Sequence, residues 1–97
     1  MNMDVRPSSD APTNGRISVR VLLFSVLRER VGQSTLILRL AAPVTVEGVL
    51  HQLADRHDAI RDLRNVLRIA LNAEYASGDE AVHDGDELAL ITPVSGG

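Results

Sequence analysis

The residue types able to hold a metal ion or move a proton are few in this chain, and poorly spaced for either task. The three histidines are His51, His57 and His83. His51 and His57 are separated by about 600° around a helix, so they do not share a face. Asp79, Glu80, Asp84, Asp86 and Glu87 crowd one stretch, but without the spacing of a calcium loop. A solvated acidic rim is the expectation there, with a rim that meets a basic partner surface as the sharper reading. No serine sits in a G-x-S-x-G elbow, and no glycine-rich turn between a strand and a helix is available to cradle phosphate. Cysteine is absent, which excludes a disulfide framework, a thiolate metal site, an iron–sulfur cluster and a cysteine nucleophile. Neither a metal site nor a bound cofactor is expected.

What remains is the end of the sequence. An apolar run, Leu88-Ala89-Leu90-Ile91, passes into Thr92-Pro93-Val94-Ser95-Gly96-Gly97. Glycine has no Cβ to clash, so a Gly-Gly end threads a narrow channel in any backbone conformation. If extended, Pro93 to Gly97 reaches roughly 17 Å beyond the last strand, far enough to enter another protein's active site while the body docks outside. A free α-carboxylate is ionised at neutral pH and is a poor electrophile. It reacts with a sulfur or nitrogen nucleophile only after activation, for example as an acyl-adenylate. The plain alternative is a frayed terminus.

The elements that must position this tail fit one small domain, since the chain has 97 residues. All ten basic residues are arginine, there are 13 acids, and the formal net charge is −3. A mildly acidic chain with scattered arginines is ill suited to a phosphate backbone. Its two aromatics, Phe24 and Tyr75, cannot build a stacking platform for single strands, so no nucleic acid is expected as a partner. No run approaches the ~20 apolar residues of a membrane span. Residues 1–15 are rich in Pro, Ser and Asn and lack the apolar stretch of a secretory signal, which predicts a disordered tail and a cytoplasmic location.

From residue 16 onward the pattern sharpens. Ile17 to Phe24 reads as a strand with Ile17, Val19, Val21 and Leu23 on one face. Ser25 is the expected N-cap of a short helix, Val26 to Val31, that Gly32 ends. Thr35 to Leu40 is a second strand, antiparallel to the first. Thr45 caps a longer helix whose Val46, Val49, Leu50, Leu53 and Ala54 form one apolar stripe. Asp58 to Asn65 reads as a polar connection, and Val66 to Leu71 and Glu87 to Thr92 as strands. Asn72-Ala73-Glu74-Tyr75, Ser77-Gly78-Asp79 and Asp84-Gly85-Asp86 read as turns. The predicted class is α+β: a mixed sheet of four or five strands, covered on one face by one main helix. Residues 16–92 form the domain and 93–97 a flexible tail.

This strand order resembles the β-grasp fold of ubiquitin-like proteins. Within it, Phe24-Ser25-Val26-Leu27-Arg28-Glu29-Arg30-Val31-Gly32 resembles the F-A-x-x-R-E-x-x-G segment of the molybdopterin synthase small subunit, MoaD type. The stretch from Asp84-Gly85-Asp86-Glu87 to Pro93-Val94-Ser95-Gly96-Gly97 resembles that family's D-G-D-E-V-A-x-x-P-P-V-S-G-G. The resemblance implies a sulfur carrier for molybdenum-cofactor biosynthesis that is not catalytic alone. An ATP-dependent partner adenylates the carboxyl of Gly97 and converts it to a thiocarboxylate. The charged tail then enters the large subunit of molybdopterin synthase and gives its sulfur to cyclic pyranopterin monophosphate, in a heterotetramer with two copies of each subunit. Carried over by residue, Gly97 bears the sulfur, Gly96 lies in the channel, and Pro93, Val94 and Ser95 are inserted tail. Phe24 and Ile91 are the implied apolar contacts with the large subunit. Arg28 and Glu29 are motif positions that serve either that interface or the anchoring of the short helix.

The chain departs from the pattern where Leu90 and Ile91 stand in place of aromatics, where Thr92 replaces the first proline, and in its N-terminal extension. Gly-Gly β-grasp carriers also serve thiamine and cysteine biosynthesis. A ubiquitin-like protein modifier and a plain β-grasp binding module are further alternatives. The absence of lysine means that no side chain here can accept an activated terminus, and arginine-biased codon usage accounts for the same count.

Overall fold

The structure is a computed structural model, described for residues 15–93. Its elements run β1 (Arg16–Leu23), α1 (Ser25–Val31), β2 (Thr35–Ala41), β3 (Val44–Thr45), α2 (Val46–Arg56), α3 (Asp58–Leu63), a 3-10 turn (Arg64–Val66), β4 (Arg68–Leu71), β5 (Glu74–Tyr75), β6 (Ala81–Val82) and β7 (Glu87–Ile91). Five strands form one sheet in the order β2-β1-β7-β4-β5, and β3 pairs with β6 beside it. β1 and β7 are parallel; β2 on one side and β4 on the other are antiparallel to them. The sheet is therefore mixed, as the pattern predicts.

Alternation decides which face is covered. Ile17, Val19, Val21 and Leu23 of β1, Leu38 and Leu40 of β2, and Leu88 and Leu90 of β7 are all buried. Against them pack Val46, Val49, Leu50 and Leu53 of α2, Leu27 of α1 and Ile60 of α3. The Thr45 hydroxyl accepts the Gly48 N–H at 3.2 Å, the predicted cap. Gly48 is needed for close packing: a Cβ there would stand 2.8 Å from Val44 Cγ2.

Four expectations are corrected. Ser25 is not the N-cap of α1. Phe24 takes that place with extended backbone, its carbonyl accepting the Leu27 and Arg28 N–H groups, while Ser25, the first residue of the helix, has a left-handed φ of +49°. β1 runs into α1 without a linker, so the reversal falls on one residue. The polar stretch after residue 57 is helix α3, whose Ala59 and Ile60 are buried while its charged residues face solvent. Three apolar positions, Ala59, Ile60 and Leu63, in six residues make too short a stripe to stand out. The two-residue strand β5 lies inside a stretch that reads as a turn. Val66 belongs to the 3-10 turn, so β4 begins at Arg68.

The stretch Asp84-Gly85-Asp86 splices β7 alongside β1. Asp84 Oδ1 accepts the Ser18 N–H at 2.7 Å, Gly85 N–H donates to the Ser18 carbonyl at 2.8 Å, and the Arg20 N–H donates to the Asp86 carbonyl at 3.0 Å. The half-buried Asp86 carboxylate also accepts the His83 N–H (2.7 Å) and the Asn72 amide (3.1 Å). Gly85 has φ +87°, which suits a residue without Cβ. The acids read as a rim are thus in part structural ties. Asn72 and Ala73 both have positive φ, +52° and +74°, in the two-residue turn joining β4 to β5.

Two substitutions should move stability in opposite directions. Asp86→Ala strands the Asn72 amide and the His83 N–H and is expected to cost about 1–3 kcal/mol. Ala73→Gly relieves a left-handed residue and is expected to add up to ~1 kcal/mol. Urea unfolding of both variants checks the signs.

Candidate functional site: the sheet face and the outgoing tail

The register places the uncovered face row by row. Leu22 lies beside Ala89, Ala89 beside Ala70, and Ala70 beside Tyr75, which makes a continuous apolar row across four strands. Beyond it, toward the end where β7 leaves the sheet, stand Phe24 and Ile91, with Arg68 paired to Ile91. Leu22, Phe24, Ala70, Tyr75, Ala89 and Ile91 line a shallow depression of about 360 Å³. The alanines set its depth, because their small side chains leave the floor low between Leu22 and Tyr75. On one side, Arg20 Nε stands 3.6 Å from Glu87 Oε2. On the other, the Arg68 guanidinium lies 5.2 Å from the centre of the Tyr75 ring, a cation–π contact.

The only two aromatic side chains of the chain, Phe24 and Tyr75, are both on this face, 42% and 68% exposed. Neither joins the core cluster. A fold that fills its core with aliphatic residues and presents its aromatics to solvent has the composition of a docking surface, where Tyr, Phe and Arg are favoured.

Of the residues singled out from the sequence, Phe24 and Ile91 are brought together beside the tail, Phe24 exposed and Ile91 half-buried. Pro93 is exposed and continues from β7 through Thr92. Val94, Ser95, Gly96 and Gly97 lie outside the described residues, as does residues 1–14 of the N-terminal segment. Arg28 and Glu29 are exposed on α1, and among the described residues neither side chain forms a hydrogen bond or an ion pair. Tyr75, Ala70 and Arg68 were not predicted for this face. Strand alternation from Ile69 would have placed Arg68 and Ala70. Tyr75 gave no such signal, because its strand has two residues.

The histidines stay apart: His51 Nε2 is 4.0 Å from Asp55, His83 Nδ1 is 3.9 Å from Asp86, and His57 sits at the α2–α3 junction. Among the described residues no group of His, Asp and Glu is placed to hold a metal ion. None of the helices there is long and apolar enough to cross a membrane.

A mixed sheet around a parallel β1–β7 pair, one helix-covered face and a tail leaving from the central strand define a ubiquitin-like β-grasp protein. The chain belongs to the ThiS family, whose model matches residues 21–97. It is 35% identical over 81 residues to the molybdopterin synthase sulfur carrier subunit of Arabidopsis thaliana, covering 84% of each chain. It is also 35% identical over 83 residues to the protein of that name from Chlamydomonas reinhardtii, covering 84% of this chain and 100% of that one. Among solved structures, SAMP1 from Haloferax volcanii superposes with a TM-score of 0.74 at 34% identity, covering 82% of this chain and 99% of that one.

Because Phe24 and Tyr75 hold nothing in the core, Phe24→Ser and Tyr75→Ser are each expected to change unfolding free energy by no more than about 0.5 kcal/mol. Chemical denaturation checks this; a loss above about 2 kcal/mol would make them structural residues.

Proposed function

We propose that this chain is the sulfur carrier of molybdenum-cofactor biosynthesis, with the sulfur held on the α-carboxyl of Gly97. The observation that carries the reading is the apolar depression around Phe24 and Ile91, set where the central strand β7 runs out toward Pro93. A partner that grips this face stands at the root of the tail. The names of the relatives support the same role.

The chemistry divides between this chain and its partners. An ATP-dependent activating enzyme joins the Gly97 carboxylate to the α-phosphate of ATP, releasing pyrophosphate. A persulfide sulfur then attacks the acyl carbon and AMP leaves. A thiol takes up the donor's other sulfur as a disulfide, and the carrier is left as a thiocarboxylate. The tail next enters the large subunit of molybdopterin synthase, with Pro93, Val94 and Ser95 spanning the channel and Gly96 at its narrowest part. There the thiocarboxylate sulfur passes to cyclic pyranopterin monophosphate, and the carrier returns with a carboxylate. Two such rounds supply the two dithiolene sulfurs, in an assembly of two small and two large subunits. This chain contributes the docking face and the acyl group; the catalytic pocket belongs to the large subunit.

The likeness to SAMP1, a small archaeal modifier protein, favours one second reading: transfer of the same activated Gly97 to a lysine amine of another protein. Reconstitution separates the two. The purified thiocarboxylate form, mixed with a large subunit and cyclic pyranopterin monophosphate, is expected to yield molybdopterin and the free carboxylate form. Deleting Gly97 is expected to abolish charging with the circular dichroism spectrum unchanged, and Ile91→Asp to weaken large-subunit binding by about tenfold or more. An intact thiocarboxylate with no molybdopterin formed, or an isopeptide on a lysine, would overturn the pathway assigned.

A further inference from the structure

We propose that the free edge of β2 is a second docking site, which takes up an extended acidic–aliphatic segment of a partner protein as an added antiparallel strand. β2 is the outermost strand of the five-stranded sheet. Its pairing parity follows from the bonds at its two ends: the Leu23 N–H donates to the Ser34 carbonyl, and the Ala42 N–H to the Gly15 carbonyl. With the β1–β2 register, Leu36, Leu38 and Leu40 turn their backbone groups toward β1, and Thr35, Ile37, Arg39 and Ala41 turn theirs away from the sheet. Four consecutive outward N–H and C=O pairs with no proline among them are a template for one more strand.

Side chains on this edge specify what kind of strand fits. Thr35, Ile37, Arg39 and Ala41 are exposed, and Ile37 is 62% exposed although it is a large aliphatic residue. A residue placed opposite one of these points to the same face of the sheet. Ile37 therefore asks for an aliphatic partner and Arg39 for a carboxylate. Ala41 is small and its neighbour on β1 is Arg16, so a second acid opposite Ala41 reaches the Arg16 guanidinium. Read in the direction of the added strand, the pattern is acid–x–acid–x–aliphatic. β1 and β2 together carry Arg16, Arg20 and Arg39 and no acid, in a chain whose net charge is −3. Arg20 is occupied by Glu87, while Arg16 and Arg39 have no carboxylate within 4 Å among the described residues. Asp84, the acid nearest Ser18 in the fold, is occupied by the Ser18 N–H.

Two other occupants match less well. A second copy paired edge to edge would offer Arg39 no carboxylate in any register, since β2 carries no acid. The chain's own N-terminal residues carry Asp4 and Asp10, but the positions two away from Asp4 are Asn2 and Arg6, and those two away from Asp10 are Ser8 and Pro12. Neither acid has an aliphatic residue in register. The site also lies apart from the tail. β1 separates β2 from β7, and Arg16 and Ser18, the partner of Arg39, lie in the half of β1 that precedes its pairing with β7, at the sheet end opposite Ile91. A partner on β2 leaves the depression around Phe24 open.

The probe is a fluorescein-labelled peptide, Thr-Glu-Thr-Glu-Thr-Ile-Thr-Thr, titrated with the full chain. Fluorescence anisotropy is expected to rise, and backbone amide shifts to concentrate in Thr35–Ala41. Arg39→Glu should weaken binding by about tenfold or more with its circular dichroism unchanged, and a peptide with lysine in place of glutamate should not bind. Equal binding by Arg39→Glu, amide shifts centred on Phe24 and Ile91, or no anisotropy change up to about 1 mM protein would overturn the proposal. So would a concentration-dependent dimer abolished by Ile37→Thr, which would assign the edge to a second copy.

Discussion

The parallel pairing of β1 with β7 is the contact on which the rest of the molecule depends. It joins segments as far apart as Ser18 and Asp84, 66 positions along the chain, and places the last strand at the centre of the sheet. Its residues Val21, Leu23, Leu88 and Leu90 are almost fully buried, and the three helices close over them. Parallel strands cannot be joined by a tight turn, so the helices and short strands between them form the required crossover. The ties from Asp84, Gly85 and Asp86 set where β7 begins against β1. The register set there determines that Ile91 emerges beside Leu22 and Phe24 rather than over the core.

That constraint gives the two sheet faces different work. The helix-covered face is aliphatic and closed. The other is left with a shallow depression floored by Ala70 and Ala89, flanked by Phe24 and Tyr75 and bordered by Arg20, Glu87 and Arg68. Large apolar residues presented singly to solvent are ordinary. Both aromatics of the chain on one face, beside the tail's root, are a concentration that folding does not require.

Much of this was legible in the residues. The period-2 pattern of Ile17 to Leu23 and the stripe from Val46 to Ala54 located β1 and α2 to within about two residues. Thr45 was a readable cap because its oxygen sits three positions before Gly48. Helix α3 was hidden because three of its six residues are charged and its apolar ones, Ala59, Ile60 and Leu63, make only a short stripe. The turn at Asn72-Ala73 was legible as a turn, although alanine stands where glycine is usual for a positive φ. Strand order itself is a long-range property that no local pattern encodes; it came from resemblance. Of the candidate site, Phe24 and Ile91 were singled out through the resemblance, and the structure sets both on one face; Tyr75 reaches that face through the β4–β5 hairpin.

A protein without cysteine has no thiol with which to hold sulfur, so a carrier role must rest on another group, and the α-carboxyl of Gly97 is the group proposed. The folded body contributes the exposed sheet face and the strand β7 that runs on to Pro93. The most direct measurement is the intact mass of the chain after co-expression with an ATP-dependent activating enzyme and a persulfide donor. Replacement of one oxygen by one sulfur, located to Gly97 by fragmentation, is the result this account predicts. A chain that keeps its carboxylate while a known carrier is charged in the same cells would contradict it.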